Sequence, residues 1–107
     1  MSSKFMRILV MFDLPVMEPY QRKAAAKFRN FLLKDGYHMI QFSVYSRICN
    51  GTDAVEKHEM RLKANLPKEG SIRMLTLTEK QYESIKILIG EQVFDDKIDS
   101  DELTDFF

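Results

Sequence analysis

The pattern of apolar and polar positions predicts short strands and helices that alternate along the chain. Residues 5–12 are almost entirely apolar and are bounded by turn-forming residues 13–15, which is typical of a strand buried on both faces. Residues 18–35 carry apolar side chains at helical spacing and precede Gly36, so they predict a first helix. Its apolar stripe comprises Tyr20, Ala24, Phe28, Phe31 and Leu32.

Residues 37–48 contain neither glycine nor proline and are too long for one ordinary strand. They predict two strands, near 37–41 and 43–49, with a bend at residues 41–42. After a turn, a second helix is predicted to end before Pro67, because a residue that precedes proline disfavours helical backbone. Its apolar side comprises Val55, Leu62 and Leu66.

The remaining segments complete a known strand order. Residues 71–78 alternate and predict a strand, residues 78–81 form a capping box that begins a short helical turn, and residues 86–90 predict a short fifth strand. The order β-α-β-β-α-β is that of a ferredoxin-like α+β sandwich. Two helices cover only one face of such a sheet, yet its first strand is apolar on both faces. We therefore expect a homodimer formed through the uncovered sheet face.

Charge divides the chain into two parts, although the net charge is zero. Residues 1–90 carry fifteen Lys and Arg against nine Asp and Glu, a balance of +6, and residues 91–107 carry one against seven, a balance of −6. This division predicts a basic ferredoxin-like domain over 1–90 and an acidic C-terminal tail over 91–107. A solvated body with a frayed tail is the alternative interpretation.

Several classes of protein are disfavoured by composition. No apolar run approaches the roughly 20 residues that span a bilayer, and the N-terminus lacks the features of a secretion signal. Cys49 is the only cysteine, so an internal disulfide and a cysteine-based zinc site are excluded. These features lead us to expect a cytoplasmic protein with no membrane partner.

Long cations on the first helix are candidates for binding nucleic acid. A stripe of such side chains suits the regular phosphates of duplex DNA, and each neutralised phosphate adds salt-dependent affinity. The alternative is an ordinary solvated helix face. The candidates are Arg22, Lys23, Lys27, Arg29 and Lys34, together with Arg47 on a predicted strand.

Asp13 is the one candidate for catalysis and for metal binding. It follows the first strand, where a carboxylate can ligate a hard cation such as Mg²⁺. No second acidic residue lies near it, so we expect at most a weak site, in which two copies of Asp13 share the ion across a dimer axis. Alternatively, Asp13 anchors the loop that contains Pro15.

Aromatic and aliphatic residues punctuate the acidic tail, which argues for docking rather than disorder. The docking candidates are Val93, Phe94, Ile98 and Leu103. The tail is expected to bind a partner protein with a basic surface, and docking onto its own basic body is the open alternative.

Four segments in order resemble the small CRISPR-associated adaptation protein, most closely the form that accompanies type II effectors. They are residues 7–15 (RILVMFDLP), 27–37 (KFRNFLLKDGY), 41–46 (QFSVYS) and 75–81 (LTLTEKQ). The resemblance implies a ferredoxin-like homodimer that bridges two dimers of a larger CRISPR-associated integrase. The integrase would perform the chemistry of spacer acquisition, while this subunit supports the protospacer duplex without catalysing the reaction.

The resemblance also implies a secondary activity as a metal-dependent endonuclease on RNA or duplex DNA. The family aspartate corresponds to Asp13, although Phe12 stands where the commoner pattern has tyrosine. A stand-alone, toxin-like endoribonuclease of the same fold, dependent on a metal, is therefore the alternative function. An RNA-recognition module shares the strand order, but residues 41–45 lack the glycines of its signature.

Overall fold

A computed structural model of the chain describes residues 5–90, which form one antiparallel sheet of four strands and three helices. The sheet order is β2-β3-β1-β4, which is the ferredoxin-like order and confirms the predicted α+β class. In chain order the elements are β1 (Phe5–Asp13), α1 (Pro19–Lys34), β2 (His38–Gln41), β3 (Val44–Asn50), α2 (Thr52–Lys63), β4 (Ser71–Thr78) and α3 (Glu79–Glu83). None of the helices among the described residues is long and apolar enough to cross a bilayer.

β1 is the central strand, and both its faces are buried, as its sequence predicts. Ile8 and Val10 are 0% exposed on the face that packs against the helices. Leu9 points to the opposite face and is only 7% exposed. We call this opposite face the open face and define it by Leu9 and its register partners, Ser46 on β3 and Leu75 on β4.

α1 begins and ends within one residue of the predicted limits. Pro19 occupies the first turn, where its missing N–H costs nothing, and the backbone N–H of Glu18 donates to the side-chain oxygen of Gln21. At the other end, Gly36 takes a φ of +93°, which glycine adopts without strain. The residues that α1 buries are Ala25, Phe28 and Leu32, whereas Tyr20 from the predicted apolar stripe is exposed.

Asp35, at the C-cap of α1, joins three elements. Its carboxylate accepts hydrogen bonds from His58 Nδ1 and Arg61 Nη1 of α2, both at 2.8 Å, and its backbone carbonyl accepts from Arg47 Nε of β3 at 2.6 Å. Its side chain is 7% exposed and that of His58 is 2% exposed. Burial raises the pKa of Asp35, but the hydrogen bonds from His58 and Arg61 outweigh it, and the net pKa lies below the usual range.

The two predicted strands of the 37–48 segment are confirmed. The bend falls at residues 42–43, where Ser43 takes a φ of +65° and the β2–β3 register shifts between Met39 and Gln41. This bend returns the chain as β3, and the carbonyl of Ser43 accepts a hydrogen bond from the backbone N–H of Phe12 at 2.9 Å.

The second helix is shorter than predicted. It ends at Lys63, and Leu66, assigned to its apolar side, lies beyond it and is 49% exposed. The side chain of Asn65 donates to the carbonyl of Arg61 at 2.8 Å and so satisfies a group that the helix leaves unpaired. α2 therefore ends before Leu66, the residue whose helical backbone Pro67 disfavours.

The predicted fifth strand over 86–90 is wrong for the described chain, because these residues form no strand. Thr78 and Gln81 form a capping box, with Gln81 N donating to Thr78 Oγ1 at 3.0 Å, which turns the chain into α3. The following residues therefore leave the sheet instead of pairing with the outer edge of β4. Leu88 and Ile89 remain exposed there.

Replacing Asp35 tests the link between α1, α2 and β3. We expect Asp35→Asn to lower the free energy of unfolding by about 1–3 kcal/mol at pH 7, because two donors lose a charged acceptor. Because the pKa of Asp35 is lower in the folded chain, its ionic contribution is complete above the unfolded value of about 4 and disappears as pH falls through the folded value.

Urea unfolding at a series of pH values between about 2.5 and about 7 checks this expectation. Glu56→Gln, which replaces an exposed carboxylate of α2, is the control and should change the free energy of unfolding little. An Asp35→Asn deficit that stays constant down to the lowest pH would contradict the assignment.

Candidate nucleic-acid interface

Asp13 lies at the exposed end of β1, as its sequence position suggested. Strand alternation places it on the open face, and its register partner on β4 is Ser71. The backbone on either side is held, because Phe12 N donates to Ser43 O on the β3 side and β4 pairs with β1 on the other. The carboxylate is thus presented from the central strand of a paired sheet.

Gly70 allows the close packing of the loop beside Asp13. Its φ is +106°, and a Cβ added there would lie 2.7 Å from Leu14 Cδ2 and 2.8 Å from the carbonyl oxygen of Asp13. Such distances are too short for a side chain, so only glycine lets the two backbones approach in this way. Gly70 therefore positions Asp13 without contacting its carboxylate.

One chain does not supply a metal site at Asp13. Between residues 5 and 90, no group of three or more His, Cys, Asp or Glu side chains could hold a metal ion. Mg²⁺ requires several oxygen ligands in near-octahedral geometry, and a single exposed carboxylate does not meet that requirement. A Mg²⁺ site at Asp13 would need ligands from outside this chain.

Three of the predicted phosphate-binding residues lie together in an open groove of about 780 Å³ between α1 and α2. They are Lys23, Lys27 and Lys34, and Arg61 of α2 lines the same groove. We call this feature the α1–α2 groove. Within the described residues none of the three lysines forms an ion pair, whereas Arg61 is paired with Asp35. Lys23 and Lys27 are one turn apart, about 6 Å along the helix axis, so the groove presents a row of cations. Asp35 also lines the groove, but its carboxylate is bound by His58 and Arg61.

The other predicted cations are placed differently. Arg22 Nη1 donates to the carbonyls of Val16 and Met17, both at 3.0 Å, and so holds the loop between β1 and α1. Arg47 lies on the helix side of the sheet and donates to the carbonyls of Asp35 and Ile48. Arg29 is exposed on α1 but does not line the groove. Arg22 and Arg47 therefore already bind backbone oxygens.

A second cavity, of about 370 Å³, adjoins the α1–α2 groove. The two share Lys27, Phe31 and Asn65, so they are contiguous. The second cavity is largely apolar, and we call it the apolar pocket. Its apolar and aromatic lining includes Leu14, Pro15, Tyr20, Phe28, Leu66 and Pro67.

Sequence reasoning missed two polar clusters that shape these surfaces. His58 showed no metal or nucleophile pattern in the sequence, and nothing there linked it to Asp35. In the sequence Arg7 was only a strand cation that could extend the basic surface, and nothing linked it to Glu79. In the structure its Nε and Nη2 donate to the two carboxylate oxygens of Glu79 at 2.8 and 3.0 Å. The guanidinium also lies 4.2 Å from the centre of the Tyr82 ring, which holds α3 against β1.

The predicted docking residues of the tail lie outside the described residues. They are Val93, Phe94, Ile98 and Leu103. Their role stays a prediction.

Comparisons with known proteins agree with one another. Residues 6–85 match the family model described as CRISPR associated protein Cas2. A protein of Acidovorax ebreus named CRISPR-associated endoribonuclease Cas2 is 62% identical over 92 residues, which cover 86% of this chain and 90% of that protein. Proteins of the same name from Campylobacter jejuni and Parvibaculum lavamentivorans are 44% and 45% identical; the matches cover 94% and 81% of this chain and 70% and 86% of theirs.

Replacing Gly70 tests how Asp13 is positioned. We expect Gly70→Ala to destabilise the fold by more than about 1–2 kcal/mol, because it adds a clash with the Asp13 backbone to the strain of positive φ. Gly51→Ala is the matched control, since Gly51 has a φ of +100° with nothing within 4 Å of an added Cβ. Urea unfolding compares the two. Equal losses of stability would show that the approach to Asp13 and Leu14 adds nothing.

Proposed function

This chain belongs to the CRISPR-associated Cas2 family, and on that basis we propose that it is a metal-dependent endoribonuclease that works as a homodimer and uses Asp13. The observation that carries the proposal is the name shared by its relatives, the first of which is 62% identical. The sequence alone favoured the non-catalytic bridging role. The relatives' names favour cleavage of RNA, and RNA cleavage is therefore the main proposed function.

The homodimer is supported by the apolar character of the open face. Phe5, Ile48 and Leu75 are each about half exposed on it, at 48%, 45% and 46%. A second copy that packs sheet against sheet would remove these side chains from water at about 25 cal/mol for each Å² buried. Asp13 extends from the same face. Packing of two copies through this face would therefore bring the Asp13 of each copy to the shared interface.

A second copy would complete the donor set for a metal ion. One chain offers the Asp13 carboxylate and no group of three or more ligating side chains among residues 5–90. Two Asp13 carboxylates together with phosphate oxygens of the RNA and water would supply the oxygen ligands that Mg²⁺ prefers. The dimer is therefore expected to bind Mg²⁺ more tightly than the monomer.

A second candidate function is the bridging subunit of a CRISPR integrase complex. It is favoured by the lysines of the α1–α2 groove, which form no ion pair within the described part of the chain. Their row of positive charge suits the backbone of a protospacer duplex and carries no preference for its sequence. In this role the larger integrase performs the transesterification, one dimer of this protein joins two integrase dimers, and the tail contacts the integrase. Both functions use the same dimer but different faces of it.

Replacing Asp13 separates the two functions. We expect Asp13→Asn to abolish Mg²⁺-dependent cleavage of a single-stranded RNA, because the proposed ligand set loses its charge, while spacer integration with the integrase survives. Gel assays of both reactions, with and without EDTA, measure this. Asp53→Asn, on the exposed first turn of α2, should leave cleavage unchanged. Full RNA cleavage by an Asp13→Asn protein that sediments as a dimer would refute the assignment.

Replacing the groove lysines tests polynucleotide binding. We expect Lys23→Ala, Lys27→Ala and Lys34→Ala to weaken binding equally for unrelated duplexes. The slope of log affinity against log salt should shrink by about 0.9 for each phosphate that is no longer neutralised. Fluorescence anisotropy in the assembled complex measures the slope, and Lys57→Ala on the exposed side of α2 is the control. A slope that matches the control would assign the lysines to a solvated face.

A further inference from the structure

The α1–α2 groove and the apolar pocket form one continuous surface with two chemistries. The groove half presents Lys23, Lys27 and Lys34, which pair with no acidic group among residues 5–90. The pocket half is lined mainly by apolar side chains, with Gln21, Lys68 and Glu69 also in its lining, and its volume of about 370 Å³ is ample for an aromatic side chain. An occupant that fits both halves must therefore carry several negative charges and an aromatic or aliphatic group close to them.

The acidic tail has this composition. Residues 91–107 carry seven acidic residues against one lysine, and three phenylalanines lie among them. We propose that the α1–α2 groove together with the apolar pocket is the docking surface for the tail of this same chain when neither nucleic acid nor integrase is bound. The acids lie against the groove lysines, and a phenylalanine enters the apolar pocket.

The tail is long enough to reach this surface. Seventeen residues follow Gly90, and in extended form they span roughly 56 Å. The longest dimension of the structure is 42 Å, which is shorter than this span. The geometry of the chain therefore permits the contact without any change in the described fold.

The energetics explain why both halves are needed. Ion pairs between exposed side chains contribute little individually, so charge alone would select no particular place on a basic body. Burial of an aromatic ring in the apolar pocket supplies affinity and position. Covalent attachment adds an effective concentration of the order of millimolar, which lets a weak contact be well populated.

The contact has a consequence for binding. The tail neutralises the lysines that would contact phosphates, so tail and polynucleotide compete for the groove. When the integrase binds the tail, the groove becomes free. The docking contact itself does not depend on the proposed function, whereas this consequence does.

Nuclear magnetic resonance tests the contact in the absence of nucleic acid and integrase. Every buried residue of the described core lies between Ile8 and Leu62, so a chain that ends at Gly90 keeps its core. Comparison of its amide spectrum with that of the full chain should show differences at residues 20–34 and 64–68 and none on β4. A synthetic peptide of residues 91–107 added to the shortened chain should restore the full-chain spectrum.

Two further variants make the test specific. Lys23→Ala with Lys27→Ala in the full chain should reproduce the spectrum of the shortened chain at the groove, whereas Lys57→Ala should not. A peptide in which all three phenylalanines are replaced by alanine should bind at least about tenfold more weakly. Identical spectra of full and shortened chains, or differences confined to the open face, would overturn the proposal. Equal binding of the alanine peptide would remove the apolar pocket from it.

Affinity for duplex DNA tests the consequence separately. At low salt the shortened chain should bind roughly two- to tenfold more tightly than the full chain, because its lysines are free. An unchanged affinity alongside positive spectra would show that tail and DNA use different surfaces. If neither the full nor the shortened chain binds DNA, the bridging function is contradicted. The amide spectra then decide by themselves whether the tail docks in the groove.

Discussion

The buried carboxylate of Asp35 is the interaction on which the helical layer depends. A charge that is only 7% exposed must be paired, and its partners are His58 and Arg61 of α2. Arg47 of β3 binds the backbone carbonyl of the same residue, so Asp35 links the end of α1 to both α2 and β3. Arg61, held by Asp35, forms part of the wall of the α1–α2 groove.

The sheet obeys a different constraint. β1 pairs on both edges and is apolar on both faces. The helices α1 and α2 cover only one of these two faces. The open face retains exposed apolar side chains on β1, β3 and β4, and Asp13 extends from the same face. The exposed apolar residues and the Asp13 carboxylate thus share one face of the sheet and one central strand.

The two faces of the sheet differ in chemical character. The helical face concentrates positive charge and has room for a polyanion, whereas the sheet face offers apolar area and one carboxylate. Contact between α3 and β1 through Arg7 and Glu79 lies near one end of the sheet and away from Asp13 at the other.

Local pattern was sufficient for the order of the four strands, the limits of α1 to within one residue, the presence of a bend between β2 and β3, and the position of Asp13. The bend itself lies at residues 42–43, one residue later than predicted. These features depend on periodicity, turn residues and caps, which act over a few residues. The sequence also predicted the basic character of α1 and the acidic tail, because both follow directly from where charged residues occur along the chain.

Only the tertiary structure decided which polar groups meet. Asp35 and His58 are 23 residues apart, and Arg7 and Glu79 are 72 apart, so no local spacing could pair them. The same long-range packing engaged Arg22 and Arg47 with backbone carbonyls, whereas Lys23, Lys27 and Lys34 form no ion pair with another residue of the 5–90 segment. It also turned residues 86–90 away from the sheet, since strand formation requires a partner edge that residues 86–90 cannot specify by themselves.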